Sequence, residues 1–144
     1  MSPRQPQALV RRIADLEWES WPAAQAAERG AVAWKDLLGG QGPGGPNMVM
    51  GVARVRCGES LKAHRHSEPE NYYTLSGRGV VTVEGQAIAV EAGTAIYIPG
   101  DAEHQIDNSE TEDLLILYTF AVHQWSEVQY RFSPAKTAPG QASA

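Results

Sequence analysis

From Met48 onward, apolar residues fall in short runs, many alternating with polar positions and broken by turns. Such alternation is the mark of a strand with one buried face. The pattern predicts strands from Met48 to Val55, Leu61 to His66, Asn71 to Leu75, Gly79 to Val83, Ala87 to Val90, Ala95 to Ile98, His104 to Ile106 and Leu114 to Ala121. A last strand is expected from Val128 to Phe132. Ser76-Gly77 and Glu84-Gly85 supply turn chemistry between neighbours. Short strands this closely spaced predict an all-β sandwich or barrel.

The upstream pattern is different. Leu9, Val10, Ile13 and Leu16 fall at helical spacing until Pro22 interrupts them. Ala8 to Leu38 therefore reads as a partly helical or irregular arm, which Trp18, Trp21 and Trp34 should fold back over the body. The segment from Gly39 to Pro46 is glycine-rich but has two prolines, and it lacks both the P-loop lysine and dinucleotide-binding spacing. It reads as a flexible connection. The small, polar, proline-containing tail from Ser133 to Ala144 is expected to be disordered. The chain thus divides into an arm with its connection (1–46), a β-domain (47–132) and a tail (133–144). At 144 residues it is sized for one domain with its own core.

Charge and composition narrow the function classes. The net charge is -5, and no basic stripe is available to neutralise phosphates, which argues against nucleic acid as a main partner. No apolar run is long enough to cross a bilayer. The N-terminus lacks the apolar stretch of a signal peptide, and the single Cys57 has no intrachain partner for a disulfide. A cytoplasmic location is expected, with Cys57 as a small core residue.

The candidate chemistry lies between Gly58 and Asn108. Three of the four histidines sit there, with one well-placed glutamate. His64 and His66 are two apart, so a strand puts both imidazoles on one face. Glu70 and Tyr72 share that parity, and His104 arrives from a later strand. Three imidazoles and one carboxylate suit a divalent transition metal, iron, manganese, nickel or zinc, whereas calcium or magnesium would want more oxygens. Four protein ligands on an octahedral ion leave two positions for water or substrate. Tyr72 and Tyr130 are candidate catalytic groups, because a phenol near a divalent cation should have a lowered pKa and serve as a general base. Arg65 should point away from the histidine pair. Lys62 shares strand parity with His64 but is expected to be solvated, and His123, outside the motifs, is expected at the surface or the cavity rim.

These spacings resemble the cupin superfamily. Its first motif, Gly-x5-His-x-His-x3-Glu-x6-Gly, is matched by Gly58, His64, His66, Glu70 and Gly77. Its second, Gly-x5-Pro-x-Gly-x2-His-x3-Asn, is matched by Gly93, Pro99, His104 and Asn108, with Asp101 where a glycine is expected and Gly100 one place early. The resemblance implies a small single-domain jelly-roll barrel with His64, His66, Glu70 and His104 around one metal ion. It implies structural roles for Asn108 and the glycines, and a homodimer.

The phrases His-Arg-His, Glu-Asn-Tyr-Tyr, Ile-Pro-Gly-Asp-Ala-Glu-His and Trp-Ser-Glu-Val-Gln-Tyr-Arg-Phe are similar to those of the cupin-type dimethylsulfoniopropionate lyases of marine bacteria. That likeness implies a small-molecule carboxylate substrate, cleavage to dimethyl sulfide and acrylate, Tyr72 as base and Tyr130 assisting. An iron-dependent cupin dioxygenase acting on a small organic acid or aromatic would use the same ligands. A non-catalytic cupin binding a small ligand would not need the tyrosines.

Overall fold

The computed structural model describes residues 7–40, 47–122 and 124–134. Most of the glycine-rich connection, His123 and nearly all of the tail lie outside the described residues. Two antiparallel sheets pack face to face around one apolar core that includes Val49, Val55, Val81, Ile98, Ile106, Leu114 and Ile116. Six strands, β1 (Glu19–Ser20), β2 (Val32–Leu38), β3 (Val49–Val55), β10 (Leu114–Phe120), β5 (Glu70–Ser76) and β8 (Ala95–Ile98), lie in that order in the first sheet. The second runs β11 (Arg131–Phe132), β4 (Ser60–Arg65), β9 (His104–Asp107), β6 (Arg78–Val83) and β7 (Gln86–Glu91). The all-β jelly-roll expectation holds. No helix among the described residues is long and apolar enough to cross a membrane.

The strands from β3 to β10 lie where alternation places them, to within a residue or two. Turn chemistry works as expected at Glu84-Gly85, where φ of 47° and 79° builds a two-residue connection between paired Val83 and Gln86. The arm departs from expectation. Its helical spacing yields only a 3-10 turn at Ile13–Asp15, and the α-helix α1 (Ala23–Arg29) begins directly after Pro22. Val32–Leu38 is a strand that pairs with β3 along nearly its whole length.

That strand is hard to recognise because both of its faces are covered. Val32, Trp34 and Asp36 face inward, and Lys35 and Leu37 are buried on the other side. Lys35 is accommodated there because its Nζ donates to the Ile13 carbonyl at 2.7 Å and sits 4.6 Å from the centre of the Trp18 ring. The Arg54 guanidinium lies 4.3 Å from the same ring. The arm therefore covers the outer face of the first sheet.

Register sets which side chains meet inside. One row across the first sheet runs Asp36, Gly51, Tyr118, Tyr72, Ile96. The next inward-facing row runs Val49, Phe120, Glu70, Ile98. Gly51 is required in its row, since a Cβ there would come within 2.5 Å of the Tyr118 hydroxyl. The phenol ring lies down over β3, toward Asp36. At the other end of the chain, the expected strand from Val128 shortens. A 3-10 turn at Trp125–Glu127 precedes β11, which pairs Phe132 with His64.

Candidate metal centre and its cavity

His64 is the penultimate residue of β4, His66 follows the strand, Glu70 opens β5 and His104 opens β9. All four side chains are buried, at 1%, 1%, 4% and 1% exposure. A register shift in β4 between Leu61 and His64 lets both residues face the interior although they are three apart. The same shift turns Lys62 outward, against its expected shared parity with His64. Its Nζ donates to the Ala27 carbonyl.

The backbone fixes the protonation of each imidazole. Nδ1 of His64 donates to the Lys62 carbonyl, Nδ1 of His66 to that of Glu68 and Nδ1 of His104 to that of Ala102, each at 2.8 Å. A carbonyl only accepts, so each Nδ1 carries a proton and each Nε2 of a neutral ring presents a lone pair. Burial, then the neighbouring His104, lowers the His64 pKa to about 3, which keeps that ring neutral. Burial also disfavours charge on His66, but the Glu70 carboxylate, with the Glu68 carbonyl and charge, outweighs it and raises its pKa. Burial likewise opposes charge on Glu70, and the two imidazoles beside it prevail and lower its pKa.

Glu70 Oε1 lies 3.2 Å from His104 Nε2 and 3.5 Å from His66 Nε2. His66 Nε2 is buried without a hydrogen-bond partner. Lone pairs facing a carboxylate in a dry interior are costly unless a cation stands among them. The ligand atoms of the three histidines lie within 4.8 Å of one another, a spacing one small ion can bridge with bonds of about 2.1 Å. The donor set fits a divalent transition metal.

Loop geometry holds this arrangement. Asp101 takes the left-handed conformation itself, at φ 63°, which aspartate tolerates, and its N–H donates to the His66 carbonyl at 2.8 Å. A Cβ on Gly100 would meet the Ser67 carbonyl at 2.4 Å. The segments bearing His66 and His104 are thus joined by backbone contact. Arg131 is ion-paired with Asp101, which tethers the strand after Tyr130 to the same loop. Arg65 donates to the Asp101 carbonyl and pairs with Glu103 outside the site. Asn108, 2% exposed, donates to the Val55 and Glu112 carbonyls and accepts from the Glu110 N–H. Cys57 is exposed, contrary to the expectation of a core residue, because it sits in the turn after β3 and not within the strand.

The two candidate tyrosines both reach the centre. Tyr72 is 4% exposed, with its ring 5.9 Å from that of His104. Tyr130 lies 5.4 Å from His66 and 5.8 Å from His64. Tyr73 points the other way and is exposed. Burial, then the Glu70 charge, pushes the pKa of both phenols up from the ordinary tyrosine value. The side chains alone keep these phenols protonated, so a lowered pKa must come from the charge of a bound cation.

Beside this centre opens a cavity of about 350 Å³. His64, Glu70, Tyr72 and Tyr130 line it at one end, and Trp21, Trp34, Tyr118 and Trp125 add further aromatic walls. Two carboxyl groups, Glu19 and Asp36, also line it. Sequence patterning misses both, along with Tyr118. The available signal was that Asp36 keeps parity with Val32 and Trp34, but it is visible only once β2 is recognised as a strand.

Residues 51–120 match the Cupin domain family. The chain is 40% identical over 104 residues to the dimethylsulfoniopropionate lyase DddW of Ruegeria pomeroyi, covering 72% of this chain and 68% of that protein. The structure superimposes on a cupin-2 domain, Rru_A2000 of Rhodospirillum rubrum, with a TM-score of 0.72 at 20% identity, over 92% and 85% of the two chains. A chain from the crystal structures of the DMSP lyases RdDddP and RnDddQII gives a TM-score of 0.66 at 22% identity, covering 83% of this chain and 63% of that one. These last two likenesses concern the fold, whereas the identity to DddW spans 104 residues, a longer stretch than residues 51–120 that match the family. With both cupin motifs folded onto one buried histidine cluster, the chain belongs to the cupin superfamily.

Proposed function

We propose that the protein is a metal-dependent carbon–sulfur lyase that cleaves dimethylsulfoniopropionate to dimethyl sulfide and acrylate. The observation that carries this reading is the placement of Tyr72. It stands two residues from Glu70 on the same face of β5, beside the histidine cluster and inside a cavity fit for a small molecule. The 40% identity to a lyase of this activity supports the substrate.

His64, His66, Glu70 and His104 would hold the ion. Once bound, a divalent ion supplies Lewis-acid stabilisation of the negative charge that grows on a substrate carboxylate as the α proton leaves. The side chains do the rest. The Tyr72 phenolate takes the α proton, the released electron pair forms the α–β double bond, and the carbon–sulfur bond breaks with its electrons on sulfur. Dimethyl sulfide departs neutral. Tyr130, across the histidines from Tyr72, assists by orienting the substrate, and Phe120 and Phe132 help keep water from the rings they pack against.

The test is headspace gas chromatography of the metal-loaded protein incubated with dimethylsulfoniopropionate. Dimethyl sulfide should form without oxygen, which separates this reading from a dioxygenase. Tyr72→Phe should cut turnover by about 10²–10⁴-fold while metal content stays stoichiometric. Undiminished turnover in that variant removes Tyr72 from the chemistry.

A further inference from the structure

Glu19 lies close enough to Asp36 to raise its cost of ionisation. Burial, then the Glu19 charge and a hydrogen bond to Glu19, raises the Asp36 pKa to about 6. Asp36, half-buried against apolar cavity walls beside a second carboxylate, calls for a compensating positive charge. No lysine or arginine is among the described residues lining the cavity, and the Arg29 guanidinium, 5.3 Å from the Trp21 ring centre and 5.0 Å from that of Phe132, lies outside that lining. Lys35, adjacent in sequence, is on the opposite face and bonded to Ile13.

An independent feature points the same way. Tyr118 is 9% exposed and lines the cavity in the same sheet row as Asp36. It lies across Gly51, where no side chain intervenes. Trp21 and Trp34 meet beside the pair at 5.0 Å and 56°, forming an aromatic corner. A metal ion is a poor match for these residues, because only the imidazole trio forms a metal-capable cluster among the described residues. A methylated onium group is a good match. It has no hydrogen-bond donors, and its spread positive surface suits aromatic faces backed by carboxylates.

We propose that Glu19, Asp36, Tyr118 and the Trp21–Trp34 corner form an onium-binding subsite in the cavity that His64, Glu70 and Tyr72 also line. The cavity then has two poles and selects zwitterions carrying a carboxylate at one end and a methylated cation at the other. This rests on the lyase reading for the orientation of the substrate, but the subsite itself is testable without turnover.

The probe is tetramethylammonium chloride, titrated into the purified full-length protein at fixed ionic strength and read by tryptophan fluorescence. Acrylate and tert-butanol serve as the anionic and neutral comparisons. Asp36→Asn and Glu19→Gln should each weaken tetramethylammonium binding by about tenfold or more and leave acrylate binding unchanged. Should Asp36→Asn not fold, Glu19→Gln decides, since Glu19 is an exposed residue of the two-residue strand β1. Tetramethylammonium affinity within about twofold of the parent in the variants overturns the subsite, on the usual scale of a neutral substitution. So does tert-butanol binding as tightly as the cation, or acrylate affinity falling in parallel. Asp36-dependent cation binding in a protein that releases no dimethyl sulfide supports the subsite and removes the lyase reading. Dimethyl sulfide release with unaltered KM and cation affinity in Asp36→Asn does the reverse.

Discussion

Asp36 shows how a single side chain reports on its surroundings. Its folded pKa of about 6 lies above the ordinary 3.8, so between those values the folded chain holds a proton that the unfolded chain has released. Stability therefore declines as pH rises through that window, the opposite of the usual carboxylate. The ionisable groups that interact with Asp36 include Glu19 from β1, Tyr118 from β10 and Tyr130, and its pairing partner on β3 is Gly51. Urea unfolding across this range should show the parent losing stability with rising pH relative to Asp36→Asn. A difference that stays flat from pH 3.8 to about 6 contradicts the assigned environment. The His64 imidazole is perturbed in the other direction, and the cause in both cases is burial of a charge.

At the scale of elements, the β-domain was legible because its strands alternate and its turns carry glycine at the right places. His64, His66, Glu70 and His104 were legible because spacing within two motifs stands in for proximity in space. β2 was not, because Lys35 is buried on one face and Asp36 on the other, which defeats any rule that sorts polar from apolar. The inward turn of both Leu61 and His64 depends on an irregularity in β4 that no residue type announces. Asn108 links three elements through one amide, bonding the end of β3, the loop before β10 and the chain after β9. Asn108→Ala strands the buried Val55 carbonyl and removes the bond to the part-buried Glu112 carbonyl, and it should cost about 1–3 kcal/mol in urea denaturation. A loss within experimental error of zero would show that water replaces the amide.

On the scale of the whole molecule, responsibilities are divided along the chain. The residues matching the family, 51–120, contain the histidine cluster, Glu70 and Tyr72. Glu19, Trp21, Trp34 and Asp36 come from the arm before that span, and Trp125 and Tyr130 from after it. One cavity is completed by segments from both ends, which is how a shared scaffold acquires a private selectivity.

The carbonyl contacts that fix the three imidazoles have a further consequence. The donors are positioned by the backbone, so no ion is needed to gather them. Stripping the protein with a chelator should leave its far-ultraviolet circular dichroism unchanged, and collapse of that signal would contradict a preformed site. A nest built in advance keeps no record of its last tenant. Occupancy then follows supply, and cultures grown on different trace elements should yield the same scaffold carrying different ions.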